Sequence, residues 1–175
     1  MSYQGSGESS EDREISPNVL RAFETLHTFL EEDGWHPRRI EGRLSFTMGY
    51  TGENGDLRCF ITIVPDVEEL LFYAVAPVRV PEAVRPSVAE FITRANYGMR
   101  IGNFELDFAD GEVRYKSSLN FMGEELTAGY IRNTIYPAVR TMDRYLLGLL
   151  RVSFGGVTPF EAIEEIERPA DTPEP

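Results

Sequence analysis

Four charged residues flank an Asp-Gly turn in the stretch GNFELDFADGEVRYKSSLNF, residues 102–121: Glu105 and Asp107 before it, Arg114 and Lys116 after it. Two carboxylates on alternate positions of a strand project from the same side, and such a pair is the minimum equipment for general acid and general base work. Hydrolysis asks for more, namely a pocket and environments that push the two protonation states apart. The same alternation has a simpler reading. Phe104, Leu106 and Phe108 before the turn, and Val113 and Tyr115 after it, take the opposite side, which is the pattern of a half-buried hairpin. If Asp110-Gly111 is the centre of a tight turn, Asp107 faces Arg114 and Glu105 faces Lys116, and each such exposed pair contributes only ~0.2–1 kcal/mol. The four residues are a candidate polar surface site for which surface pairing is a sufficient explanation.

The remaining chemically versatile residues do not form a recognisable constellation. His27 falls within a helix-patterned segment and His36 follows Trp35 near its end, without the i, i+4 spacing by which one helix face holds zinc. No acidic cluster at ligand spacing completes a site, so neither a metal nor an organic cofactor is expected. Cys59 is the only cysteine, which rules out an intrachain disulfide, and its setting in LRCFITIV makes it a packed strand residue. The glycines of GENG, residues 52–55, invite comparison with a phosphate loop. A strand follows them where a helix N-terminus is needed, however, and the lysine of such loops is missing, so they read as a hairpin connection. FGG at residues 154–156 reads as a chain reversal, and Ser117 and Ser118 lie in a strand without a nucleophile elbow. No catalytic residue is assigned.

Periodicity shows the elements that must position these residues. In SPNVLRAFETLHTFLEEDGW, Ser16 is an N-cap, Pro17 takes the first helical position, and Val19, Ala22, Phe23, Leu26, Phe29 and Leu30 recur at helical spacing up to Gly34. The period then falls to two. Leu44, Phe46, Met48 and Tyr50 share one side of a first strand, and Leu57, Cys59, Ile61 and Ile63 form an inner face of the next. ELLFYAVAPVRV supplies a third strand, and a second amphipathic helix through Val88, Phe91, Ile92 and Ala95 starts near Pro86 and stops at Gly98. The Asp-Gly hairpin adds two strands. MGEELTAGYIRNTIYPAVRTMDRYLLGLL is the longest helical candidate, with Pro137 expected to bend or split it, and a short amphipathic helix follows the FGG break. This order predicts an α+β fold with a mainly antiparallel five-stranded sheet and helices packed on one face. The single domain spans residues 16–160, between acidic tails at 1–15 and 161–175.

Composition narrows the partners. With 17 basic against 29 acidic side chains in 175 residues, the formal charge of −12 repels a nucleic-acid backbone and an anionic bilayer. No apolar run approaches the ~18 residues of a membrane span, and the start lacks a basic segment before an apolar core, so a cytoplasmic location is expected. Tyr145, Leu146, Leu147, Leu149 and Leu150 put apolar side chains on neighbouring faces of the last long helix. They either cap the core or form a protein interface.

The element order, together with RANYGMRIGNFELDFADGEVRYKSSLNF at residues 94–121, resembles the YbjN-like family, described as "putative bacterial sensory transduction regulators". Asn96, Gly102, Phe104, Leu106, Asp107, Asp110, Gly111, Val113, Arg114 and Tyr115 match the family's asparagine-containing segment, Gly-x-Phe-x-Leu-Asp stretch, turn and VRY strand. The resemblance extends from about residue 16 to residue 160. It implies a fold similar to that of type III secretion chaperones, whose α+β bodies often dimerise, and it brings no catalytic constellation. The expected function is a non-enzymatic regulatory or chaperone-like protein-binding domain, a homodimer with a polypeptide partner. A structural or assembly role, or a small enzyme using a pocket on the polar sheet face, are the alternatives.

Overall fold

The computed structural model describes residues 15–168, so most of the two tails, residues 1–14 and 169–175, lies outside the described residues. Helix α1 runs Pro17–Glu32, and the Ser16 hydroxyl accepts a hydrogen bond from the Val19 amide at 3.2 Å. Gly34, at φ +78°, lets the chain turn back, and the Trp35 amide donates to the Leu30 carbonyl at 2.9 Å, closing the helix in a Schellman motif.

The strands are β1 Arg38–Arg39, β2 Ser45–Thr51, β3 Asp56–Val64, β4 Glu69–Arg79, β5 Asn103–Leu106 and β6 Glu112–Asn120. They form one antiparallel sheet in the order β1-β2-β3-β4-β6-β5. The sheet therefore has six strands where five were expected. The added one is a two-residue edge strand, Arg38 and Arg39 opposite Thr47 and Phe46, too short to show any alternation in the sequence. Helix α2, Arg85–Asn96, begins one residue before Pro86, and α3 and α4 span Ala128–Phe154 and Pro159–Glu167.

Phe46, Cys59, Ile61, Phe72, Val113 and Tyr115 carry the sheet's buried face, and α3 lies across β4 and β6 with Ile131, Ile135, Val139, Met142, Leu146 and Leu149 against it. Each large side chain buried there contributes ~1.5–3 kcal/mol, so this layer is the main source of stability. Pro137 does not split α3, which is one helix of 27 residues. The carbonyl that its ring leaves without a donor belongs to Asn133, an exposed residue where water can replace the missing bond. Residues 161–167, assigned to the acidic tail by composition, belong to α4. The Thr158 hydroxyl accepts from the Glu161 amide while the Glu161 carboxylate accepts from the Thr158 amide, a capping box that fixes its start, and Ala162 is buried.

Candidate functional site

Alternation gives the sheet two unlike faces. Between the buried residues, Thr47, Phe60, Thr62, Leu71, Tyr73, Arg114 and Lys116 point away from the helices and are half-buried. Register places them in rows: Thr47, Phe60, Tyr73, Lys116 and Asn103 are successive cross-strand neighbours, as are Ser45, Thr62, Leu71 and Ser118. Phe60, Leu71 and Tyr73 thus form an apolar centre. It is bounded by Arg58, 5.3 Å from the Phe60 ring, and Arg114, 4.2 Å from the Tyr73 ring. Such cation–π contacts contribute ~0.5–1 kcal/mol at exposed sites and hold the arginines against the aromatic rings.

The four charged residues singled out in the sequence do not all meet. Glu105 is the hub, its Oε2 accepting from Arg114 Nε at 2.8 Å and its Oε1 from Lys116 Nζ at 2.5 Å. Asp107 is exposed, and its Oδ1 accepts from the Ala109 amide of its own turn at 2.7 Å. Register is the cause. Glu105 pairs with Arg114 and Leu106 with Val113, and the Asp107 amide donates to the Glu112 carbonyl. The turn consequently holds residues 108–111 rather than Asp110-Gly111 alone. A shift of two residues keeps every side chain on its expected face while exchanging its partner. Phe108, expected on the inner side, is exposed because β5 stops at Leu106. Gly111 takes φ +78°, and an added Cβ would lie 2.3 Å from the Val80 carbonyl oxygen.

Burial pushes the Glu105 carboxyl up, but the hydrogen bonds and charges of Lys116 and Arg114 outweigh it and hold the group below the usual carboxylate range. For Arg114, burial acts against the charged form, and the bond to Glu105 together with the charges of Tyr73, Glu105 and Glu112 outweighs it, so the guanidinium is held above its ordinary value. A carboxylate ionised at neutral pH with both oxygens engaged is a poor proton donor, and Asp107 is committed to its turn. Arg79 extends the network by pairing with Glu112 at 2.8 Å and Asp110 at 3.1 Å. Arg79, Arg114 and Lys116 thus balance Glu105, Asp110 and Glu112, so this ion-pair network is itself neutral on a chain of charge −12. The chemistry of the arrangement is that of a recognition surface.

The apolar stripe on α3 divides. Tyr145, Leu146 and Leu149 belong to the intrachain core, because they fall on its sheet-facing and helix-facing sides. Leu147 is 51% exposed, Leu150 is half-buried against the core, and Phe154 continues the exposed stripe at 59%. His27 is exposed, stacked on Phe46 at 5.3 Å and 3.8 Å from Glu31, and His36 is exposed at φ +49°. Among the described residues no group of three or more His, Cys, Asp or Glu is placed to hold a metal ion. Cys59 is fully buried, and loss of water pushes its thiol up to about 12.

Two positioning residues, Asp143 and Asp33, escaped the sequence reading, and a third, Asn96, entered it only as a match to the family's motif. Asp143 on α3 accepts from the backbone amides of Glu53 and Asn54 at 3.0 and 2.9 Å, clasping the GENG turn to the helix. Asn96, at the end of α2, accepts from the Phe104 amide at 2.7 Å and donates to its carbonyl at 3.1 Å. Its side-chain amide stands in for a neighbouring strand and covers the β5 edge. Asp33 accepts from the Tyr136 hydroxyl at 2.6 Å, Arg132 at 3.1 Å and Trp35 at 3.2 Å, joining α1 to α3. The signals in the sequence are the acid beside an apolar stripe, in Met142-Asp143, and the place of Asn96 in the family's motif.

The sequence model of the YbjN family, "Putative bacterial sensory transduction regulator", matches residues 22–151. The chain belongs to the YbjN family. Among solved structures it is similar to YbjN from E. coli, titled "a putative transcription regulator", with a TM-score of 0.55 and 16% identity, over 71% of this chain and 87% of that one. A chain of the ExsC-ExsE complex also matches, with a TM-score of 0.55 and 14% identity, over 74% of this chain and 93% of that one. The fold is therefore type III secretion chaperone-like, with the antiparallel sheet and helices that the resemblance implies. No curated protein matches the sequence.

Proposed function

We propose that the chain is a non-enzymatic regulatory or chaperone-like module that recognises a polypeptide and acts as a homodimer in the cytoplasm. The observation that carries this reading is the sheet face turned away from the helices, where Phe60, Leu71 and Tyr73 lie half-buried between Arg58 and Arg114. Aromatic residues and arginine are the types that dominate protein interfaces, and the neutral ion-pair network beside them adds no net repulsion toward a second polypeptide. The similarity to a protein solved in the ExsC-ExsE complex supports a polypeptide partner. The charge of −12 speaks against nucleic acid, and no helix among the described residues is long and apolar enough to cross a membrane.

Dimerisation is assigned to the α3 stripe of exposed Leu147 and Phe154 with half-buried Leu150 between them. Leu147→Asp should shift light-scattering mass toward the monomer across a concentration series while leaving circular dichroism unchanged. Leu71→Asp with Tyr73→Asp should abolish polypeptide capture without changing mass. A wild-type monomer at every soluble concentration rejects the dimer. Capture that survives the sheet-face substitutions rejects that face as the recognition surface, and capture of nothing but further copies of the chain favours an assembly role.

A further inference from the structure

Helix α4 packs in the groove between α2 and α3. It is a nine-residue helix with four glutamates and no basic residue, and its one fully buried side chain is Ala162. Ile163 and Ile166 pack only in part, and Phe160 is exposed. Isolated helices shorter than ~12–15 residues are marginal, so α4 depends on the groove for its structure. The groove, by contrast, is built for a helix. Gly148 of α3 forms its floor, where an added Cβ would lie 2.4 Å from Ile166 Cδ1 and 3.1 Å from Phe91. Its rim carries three arginines: Arg94, paired with Glu90 at 2.7 Å, lies 5.5 Å from the Phe160 ring, Arg144 donates to the Ile166 carbonyl at 2.9 Å, and Arg151 pairs with Glu165. Tyr145 closes the far end by donating to Glu167 at 2.7 Å.

Two further observations separate α4 from the body it covers. The family match ends at residue 151, before α4 begins. Gly155 and Gly156, the latter at φ +67°, form the short turn that joins α3 to α4. We infer that the α2–α3 groove is a second docking site, for an acidic amphipathic helix of a partner polypeptide, and that α4 is its intramolecular plug. The glycine floor calls for a small residue at the contact, as Ala162 provides, Arg94 calls for an aromatic residue, as Phe160 provides, and Arg144 and Arg151 call for glutamate or aspartate on the flank. This inference rests on the reading of the chain as a polypeptide-recognition module, but it concerns a surface on the opposite side of the sheet.

The test uses the full chain carrying Ala162→Glu, which puts a charge into the buried contact and releases α4, and a fluorescent peptide of residues 157–168 as the probe. The variant should bind the peptide saturably and at least about tenfold more tightly than wild type, whose groove is occupied. Gly148→Leu in the same background should abolish that binding, and added salt should weaken it. In the wild type, amides of α4 should exchange with deuterium at least about tenfold faster than those of α3 near Met142, through local opening. A folded Ala162→Glu variant that ignores the peptide, or binding indifferent to Gly148→Leu, overturns the proposal. So does α4 exchange that occurs only by global unfolding, a result available even if Ala162→Glu fails to fold. A wild-type dimer in which copies exchange α4 replaces the partner with a second copy. None of these outcomes depends on Phe60, Leu71 or Tyr73, so failure here leaves the sheet-face reading to its own test.

Discussion

Replacing Asp143 by alanine should destabilise the protein by about 2–4 kcal/mol. Its carboxylate, on a residue only 8% exposed, takes the amides of Glu53 at 3.0 Å and Asn54 at 2.9 Å. Hydrogen bonds to a charged group contribute ~1.5–3 kcal/mol each, and truncation leaves two donors without a partner until water reaches the turn. For a domain of this size each kcal/mol shifts Tm by roughly 2–4 °C, so a fall of roughly 4–16 °C is expected. A second substitution isolates the clasp from general damage. A Cβ on Gly52 would lie 2.2 Å from Asp143 Oδ1, so Gly52→Ala should be costly in the wild type. Once Asp143 is alanine that clash is gone, and the cycle should show a coupling of at least about 1 kcal/mol. Urea unfolding of the four proteins measures all terms, and hydrogen exchange at Glu53 and Asn54 localises them. A loss below about 0.5 kcal/mol for Asp143→Ala, with additive double-mutant energies, would refute the claim that this carboxylate fastens the hairpin to α3.

Asn96→Ala should cost about 1–2 kcal/mol by removing both bonds to Phe104, and should raise concentration-dependent aggregation by uncovering the β5 edge, read by turbidity and unfolding. Gly111→Ala should cost about 2 kcal/mol or more, since φ +78° and the Val80 carbonyl both oppose a Cβ; chemical denaturation checks it. The bond from Tyr136, with help from Trp35 and Arg132 and against the opposing effect of burial, holds the Asp33 carboxyl below its ordinary value. A depressed folded value means that its contribution is present above about pH 4 and is lost as pH falls through that lower value. Tyr136→Phe should therefore show a smaller stability difference between neutral and acid pH than wild type, and an unchanged difference would count against the Asp33 contact.

Much of the architecture was legible because two periods carry it. Val19, Ala22, Leu26 and Leu30 mark α1 by their spacing, and Leu57, Cys59, Ile61 and Ile63 mark the inner side of β3 by their alternation. What failed were features that depend on length or distance rather than period. Arg38-Arg39 has no alternation to read, and the turn after β5 is four residues long because Asp107 and Asp110 bond the amides of Ala109 and Glu112. Asp110-Gly111 alone suggested a tighter reversal. The α3 tract Tyr145–Leu150 could not be divided into core and surface because that depends on where α4 folds back. The same holds for Asp143 and Asn96, whose partners lie at sequence separations of 89 and 8 residues and follow from packing alone. On the candidate site, parity correctly put Glu105, Arg114 and Lys116 on one face, while the apolar centre of Phe60, Leu71 and Tyr73 emerged only when β3 and β4 were aligned.

Lys116 is the only lysine in the chain, and it lies beside Tyr73 on the sheet face assigned to recognition. A photo-crosslinker attached through its amine can report directly on what meets that face in native lysate. The account predicts a discrete crosslinked polypeptide, recovered with the crosslink mapped to Lys116, and its loss when Leu71→Asp and Tyr73→Asp are introduced into a chain that remains folded. Recovery of the same products from wild type and from that folded variant, or of no discrete product from either, would contradict it.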